Sequence, residues 1–162
     1  MIEWTEKKLI EAGYKIQNAK ITNVDLSTEA HACACLEMTL DGGGWGVVYG
    51  GYNLGTAGTY LKREDLKGSS EGMEAILYIM HTVGVDSLVG MKNQYVRVAT
   101  KGWGDSIKII GNVIKDEWFD YGSFFEGADS LEKKLGRYNG DELKELIIVA
   151  NRMLGGMDER DI

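Results

Sequence analysis

The chain has 162 residues, 44% of them hydrophobic, with 25 acidic side chains against 18 basic ones and a formal net charge of −7. That length and apolar content suit one ordinary domain with a real core and exclude a disordered chain, while the acidic balance argues against nonspecific binding to phosphate backbones. No apolar run approaches the ~20 residues that span a bilayer, and residues 1–6 lack the basic and apolar regions of a signal peptide, so a cytoplasmic protein is expected.

Thr5 as N-cap and Gly13 as stop predict a short helix over residues 5–12. Residues 15–26 read as a strand interrupted near Asn23. Ala32, Ala34, Leu36, Met38 and Leu40 then alternate with Cys33, Cys35, Glu37 and Thr39, the pattern of a half-buried strand. Asp41-Gly42-Gly43-Gly44 signals a turn, and residues 45–52 return as the second arm of a hairpin over 32–52. A glycine-punctuated loop is expected over 54–69. Ser70 is expected to cap a covering helix whose apolar face is Met73, Ile76, Leu77, Met80 and Val83, ended by Gly84.

A second hairpin is expected from residues 95–100 and 106–114, joined through Lys101-Gly102-Trp103-Gly104-Asp105. Ile107, Ile109, Ile110, Val113 and Ile114 mark its second arm as well buried. Trp118, Phe119, Tyr121, Phe124 and Phe125 form an aromatic segment, read as a short helix or loop closing the core. From residue 128 the composition becomes charged and helical in pattern, with an apolar stripe at Leu143, Leu146, Ile147, Ala150 and Leu154. The expected fold class is α+β: two antiparallel hairpins forming a sheet, covered by an amphipathic helix. The expected division is a core over 1–127 and a helical extension over 128–162, which either packs on the core or pairs with a second copy as a homodimer.

The run from Gly42 to Tyr52 sets Trp45, Tyr49 and Tyr52 among five further glycines, and Gly-Trp-Gly recurs at Trp103. Glycine weakens a strand and leaves little to pack, so a tight corner or the close approach of a ligand must offset it. The candidate site is therefore Trp45, Tyr49, Tyr52 and Trp103 with Gly44, Gly46 and Gly104. Flat rings there would stack on a planar ligand while glycine lets it near the backbone. The competing reading makes both tryptophans corner residues beside tight turns.

Other chemistry is weaker. No Gly-x-Gly-x-x-Gly or Gly-Lys-Ser/Thr phosphate motif is present. His31, Cys33 and Cys35 are alternate residues, about 7 Å apart on an extended strand and poorly placed to converge on one ion. No metal and no cofactor are expected, and the cysteines read as free thiols. His81 has no recognisable catalytic partner, and Asp116, Glu117 and Asp120 read as a solvated turn in preference to an acid–base pair. Arg97, Lys101, Lys108 and Lys115 make at most a small positive patch.

Four segments together resemble a family of small uncharacterised proteins encoded by phages and prophages of Gram-positive, often gut-dwelling, bacteria. They are Ala19–Ser27, Gly44–Tyr52, His81–Val85, and Tyr95–Thr100 with Gly102-Trp103-Gly104 and Ile109–Gly111. The resemblance spans roughly residues 10–126 and carries no known activity. It implies a setting, the bacterial host cytosol, and no mechanism. In that setting a non-enzymatic accessory protein that works by binding is expected. The leading expectation is an inhibitor of host defence, an acidic protein occupying the nucleic-acid-binding site of an effector such as a CRISPR nuclease. The alternatives are sequestration of a small nucleotide signal in the glycine-aromatic pocket, and a nucleic-acid-metabolism accessory or enzyme with an unrecognised site.

Overall fold

The computed structural model describes residues 2–28, 33–102 and 104–126. By compactness the chain divides into two units, Met1–Phe125 and Glu126–Ile162. The first is described below. The expected C-terminal helix, its stripe and its self-association, together with His31 and Trp103, lie outside the described residues.

The fold is α+β. A short helix α1 (Glu6–Glu11) precedes β1 (Lys15–Ser27), β2 (Cys33–Asp41), β3 (Gly46–Thr56) and the two-residue β4 (Lys67–Gly68). Helix α2 (Ser70–Val83), β5 (Tyr95–Thr100), β6 (Ile109–Gly111) and β7 (Trp118–Asp120) follow. The strands form one antiparallel sheet in the order β4-β3-β2-β1-β5-β6-β7. The two expected hairpins, β2-β3 and β5-β6, are thus joined through β1 at the centre.

The sheet curls. β3 and β7 are five strand spacings apart, roughly 24 Å in a flat sheet. Yet the rings of Tyr49, on β3, and Tyr121, just after β7, stack with centroids 5.5 Å apart. Bulges supply part of the bend. One falls in β1 between Ile21 and Asn23, where an interruption was expected, and two fall in the β2-β3 ladder at Cys33/Cys35 and Cys35/Glu37. Opposite the latter, Gly50 (φ +115°) passes so close to the Leu36 carbonyl that no β-carbon fits.

Each face of the sheet carries a core. On the inner face Ala19, Ile21, Met38, Leu40, Val96 and Val98 pack with Ala75 and Ile79 of α2. On the outer face Leu9 of α1 packs with Ala99 and Ile109, edged by Trp4, Ile16 and Trp118. Thr5 caps α1 through Lys8 N–H (3.3 Å), as its sequence predicts.

Several expectations are corrected. Of the expected face of α2, Ile76, Met80 and Val83 pack partly buried against the core, but Met73 and Leu77 are more than half exposed, and the buried residues are Gly72, Ala75, Ile79 and Thr82. Gly72 belongs to the buried face because the helix there lies against the backbone of β3: a β-carbon on Gly72 would come within 2.6 Å of the Leu54 carbonyl oxygen. Ser69, not Ser70, is the cap, accepting from Gly72 N–H and donating to Leu54 O. The expected loop over 54–69 begins only after Thr56 and contains β4. The β6 arm is three residues long; Ile107 is buried before it, but Val113 and Ile114 are exposed in the turn beyond. The aromatic segment contains a strand, β7, before residues 121–126 turn helical. Cys33 and Cys35 do not form a uniform exposed face, because the bulges carry Cys35 inside, where burial pushes its thiol pKa up, helped by Cys33 and Glu37.

Candidate ligand-binding cleft

The β2-β3 turn is built around glycine and one carboxylate. Asp41 Oδ1 accepts from Gly43 N–H (2.8 Å), Gly42 N–H donates to Trp45 O (2.9 Å), and Gly43 takes the left-handed φ of +77°. The β5-β6 connection is held in a similar way. Thr100 Oγ1 bonds both the N–H and the carbonyl of Gly102, Asp105 N–H reaches Gly102 O, and Gly104 has φ +84°.

These two turns lie at the same end of the sheet and bound an open cleft of about 760 Å³. Gly44, Trp45, Gly46 and Val47 form one wall. Gly102, Gly104, Asp105 and Ser106 form another, with Ile107 buried beside them. Lys15 and Gln17 of β1 and Thr100 of β5 complete it. Lys15 pairs with Thr100 across the ladder, and both belong to the inner-face alternation of Ala19, Ile21, Val96 and Val98. The cleft is therefore the mouth of the curled sheet, where its apolar inner face turns polar. The volume lies within the roughly 300–1,000 Å³ of small-molecule sites, and sheet mouths are a preferred place for them.

Of the seven residues read as a site, Gly44, Trp45, Gly46 and Gly104 are brought together here. Tyr49 and Tyr52 are elsewhere. Tyr49 is buried against Tyr121; Tyr52 meets Tyr121 edge-on at 4.3 Å and stacks on Phe125 at 5.3 Å. Burial drives the phenol pKa values of Tyr49 and Tyr121 upward, so both are neutral. Neither hydroxyl has a hydrogen-bond partner among the described residues.

Sequence reasoning did not place Lys15, Gln17, Thr100, Gly102, Asp105 or Ser106 at the site. The readable signal was the alternation itself: Lys15 and Gln17 continue the register of Ala19 and Ile21, as Thr100 continues Val96 and Val98. An inner face that becomes polar at the same end of neighbouring strands marks an opening.

The acidic cluster holds structure together. Asp116 Oδ1 accepts from Glu6 N–H (2.8 Å) and Trp118 Nε1 (2.6 Å). The Trp118 bond is the main reason its carboxyl sits below the usual range; the Glu6 bond and Arg97 add to it. Asp120 accepts from Trp4 Nε1 and Ser123 N–H, both at 3.0 Å. Arg97 bonds the carbonyls of Asn112 and Lys115, pairs with Glu6, and lies 4.5 Å over the Trp118 ring. These contacts staple the N-terminal segment to the 112–120 region and leave Arg97 committed. His81 Nε2 is 3.7 Å from Glu117 on an exposed edge.

Among the described residues no group of three His, Cys, Asp or Glu side chains is placed to hold a metal ion. Among them, too, no helix is long and apolar enough to cross a membrane. No protein-family model, no curated protein and no solved structure matches this chain.

Proposed function

We propose that the protein acts by binding, without catalysis, and that the cleft at the mouth of the curled sheet takes a small planar ligand of the nucleotide class. One observation carries this reading. Gly44 and Gly102 line the cleft, have no left-handed φ, and would meet nothing within 4 Å if given a β-carbon; Gly46 would meet only the Leu40 carbonyl oxygen, at 3.7 Å. Neither backbone geometry nor packing asks for glycine at these three positions, although glycine destabilises an ordered segment by roughly 0.5–1 kcal/mol relative to alanine. A ligand seated against the backbone accounts for them. Trp45 supplies a flat surface, Lys15 a cationic group, and Thr100, Ser106 and Gln17 hydrogen-bonding groups.

In the phage setting that the resemblance implies, such a protein withdraws a nucleotide signal from host defence. Blocking the nucleic-acid-binding site of a host effector, the other reading of an acidic accessory protein, calls for a partner surface instead of a walled cleft. The test is thermal melting with AMP, cyclic AMP and ADP-ribose, repeated on Trp45→Ala. Ligand at a hundred times its Kd stabilises the native state by about 2.7 kcal/mol, a rise of several degrees. That rise is expected for at least one nucleotide and is expected to vanish in Trp45→Ala. No rise with any nucleotide overturns the assignment and favours the protein-partner reading, whose complex would weaken with salt.

A further inference from the structure

Gly42 was expected only to mark the turn with Asp41, Gly43 and Gly44, while Gly44 and Gly46 were placed in the site; the structure gives Gly42 a part of its own. Gly42 has no left-handed φ, so its backbone admits any residue. What it lacks is room. A β-carbon there would collide with Cε2, Nε1 and Cζ2 of Trp45, three adjacent atoms of the indole. The ring thus lies over the Gly42 backbone, and the turn bond from Gly42 N–H to Trp45 O locks the two residues together.

Trp45 also lines the cleft and is partly packed on the inner core. One part of its surface is therefore backed by Gly42, and the part presented to the cleft is open. We propose that Gly42 is a positioning residue: it is the backing on which Trp45 is held flat, so that the indole takes a single planar ring, such as a nucleobase, by stacking from the cleft side only. The ligand half of this inference rests on the cleft being the binding site; the backing half does not. Gly42 and Gly44 accordingly do different work two residues apart. Gly42 makes room for the tryptophan, and Gly44, with nothing within 4 Å of its missing side chain, makes room for what the tryptophan binds.

The experiment uses the full ¹⁵N-labelled chain, with AMP as probe. The Trp45 indole N–H resonance is assigned by its loss in Trp45→Phe. Gly42→Ala is expected to shift that resonance and to weaken AMP binding about tenfold or more, the order associated with losing one base–aromatic stack. Gly44→Ala is expected to weaken AMP binding while leaving the Trp45 resonance in place. A Gly42→Ala variant whose Trp45 resonance is unmoved overturns the backing. A moved resonance with unchanged AMP affinity overturns the stacking. Failure of AMP to bind the wild-type chain overturns the ligand reading alone, because the resonance still reports on the backing.

Should Gly42→Ala fold poorly, the Gly42→Ala/Trp45→Ala double variant decides. The collision disappears with the indole, so the double variant should be as stable as Trp45→Ala. A separate penalty for Gly42→Ala in that background overturns the backing.

Discussion

Removing one oxygen from the centre of the core should make this protein more stable. Tyr49 is 1% exposed, its hydroxyl is buried, and no partner satisfies it among the described residues. In the unfolded chain that hydroxyl is hydrated, so folding strips its water and returns no bond. Such an orphan costs about 1–3 kcal/mol. Tyr49→Phe keeps the ring stacked on Tyr121 and deletes only the oxygen, leaving a void smaller than a methyl group that forfeits a few tenths of a kcal/mol of contact. The net expectation is a gain of about 1 kcal/mol. At about 2.1 cal/mol/K per residue, the unfolding entropy of the roughly 125-residue unit makes that a rise of about 4 °C in Tm. Urea unfolding followed by circular dichroism gives the free energy, and thermal melting gives the Tm. Tyr121→Phe should act in the same direction, since its hydroxyl is also an orphan. A loss of stability in Tyr49→Phe refutes the reasoning, for it would mean that the hydroxyl is hydrogen-bonded in solution.

Gly72→Ala tests the packing of α2 in the opposite sense. Alanine raises helix propensity by about 1 kcal/mol, yet its β-carbon meets the Leu54 backbone at 2.6 and 2.8 Å, so a net loss of about 1–3 kcal/mol is expected in urea unfolding. Asp116→Asn tests the N-terminal staple. The Asp116 pKa is depressed in the folded state, so its contribution is complete above the unfolded value of about 3.9 and is lost as pH falls through the lower folded value. The variant should be less stable at pH 7 by no more than about 1 kcal/mol, since half of the side chain is exposed and screened. That difference should narrow as pH falls below the unfolded value of about 3.9; a gap in urea unfolding that stays constant as the pH is lowered through the acid range would mean that the carboxylate charge is not what matters.

What was legible in this sequence follows the range of the interactions involved. Thr5, Gly13, Gly84 and the Asp41–Gly44 turn act through bonds within a few residues, and the structure has them where the sequence put them. The strict alternation of Leu36, Met38 and Leu40 likewise reports burial on one face. Misreadings cluster where backbone approaches backbone. Counting large apolar residues put Met73 and Leu77 of α2 inside, whereas the buried face is Gly72, Ala75, Ile79 and Thr82, with Gly72 resting on the Leu54 backbone of β3 where a β-carbon does not fit. Cys35 went inside for a related reason: two bulges break the period of two on which its outward assignment depended.

The candidate site divides along the same line. Trp45, Gly44 and Gly46 could be singled out because an accumulation of glycine around an aromatic ring is visible in one stretch of chain. Lys15, Gln17 and Thr100 could not, since they join that stretch only when the sheet curls and brings the ends of β1 and β5 beside the β2-β3 turn. Tyr49 and Tyr52 are close to Trp45 in sequence but not part of the cleft. Tyr49 and Val47 share an inner face, but two residues along β3 separate the mouth of the sheet from its core, and the ladder shifts register just beyond, opposite Cys35/Glu37. A site at the rim of a curled sheet is thus partly written in local composition and partly in curvature. Part of that curvature comes from the bulge opposite Gly50, so the run of eleven residues that marks the cleft at Gly44 and Gly46 also helps to bend the sheet that forms it.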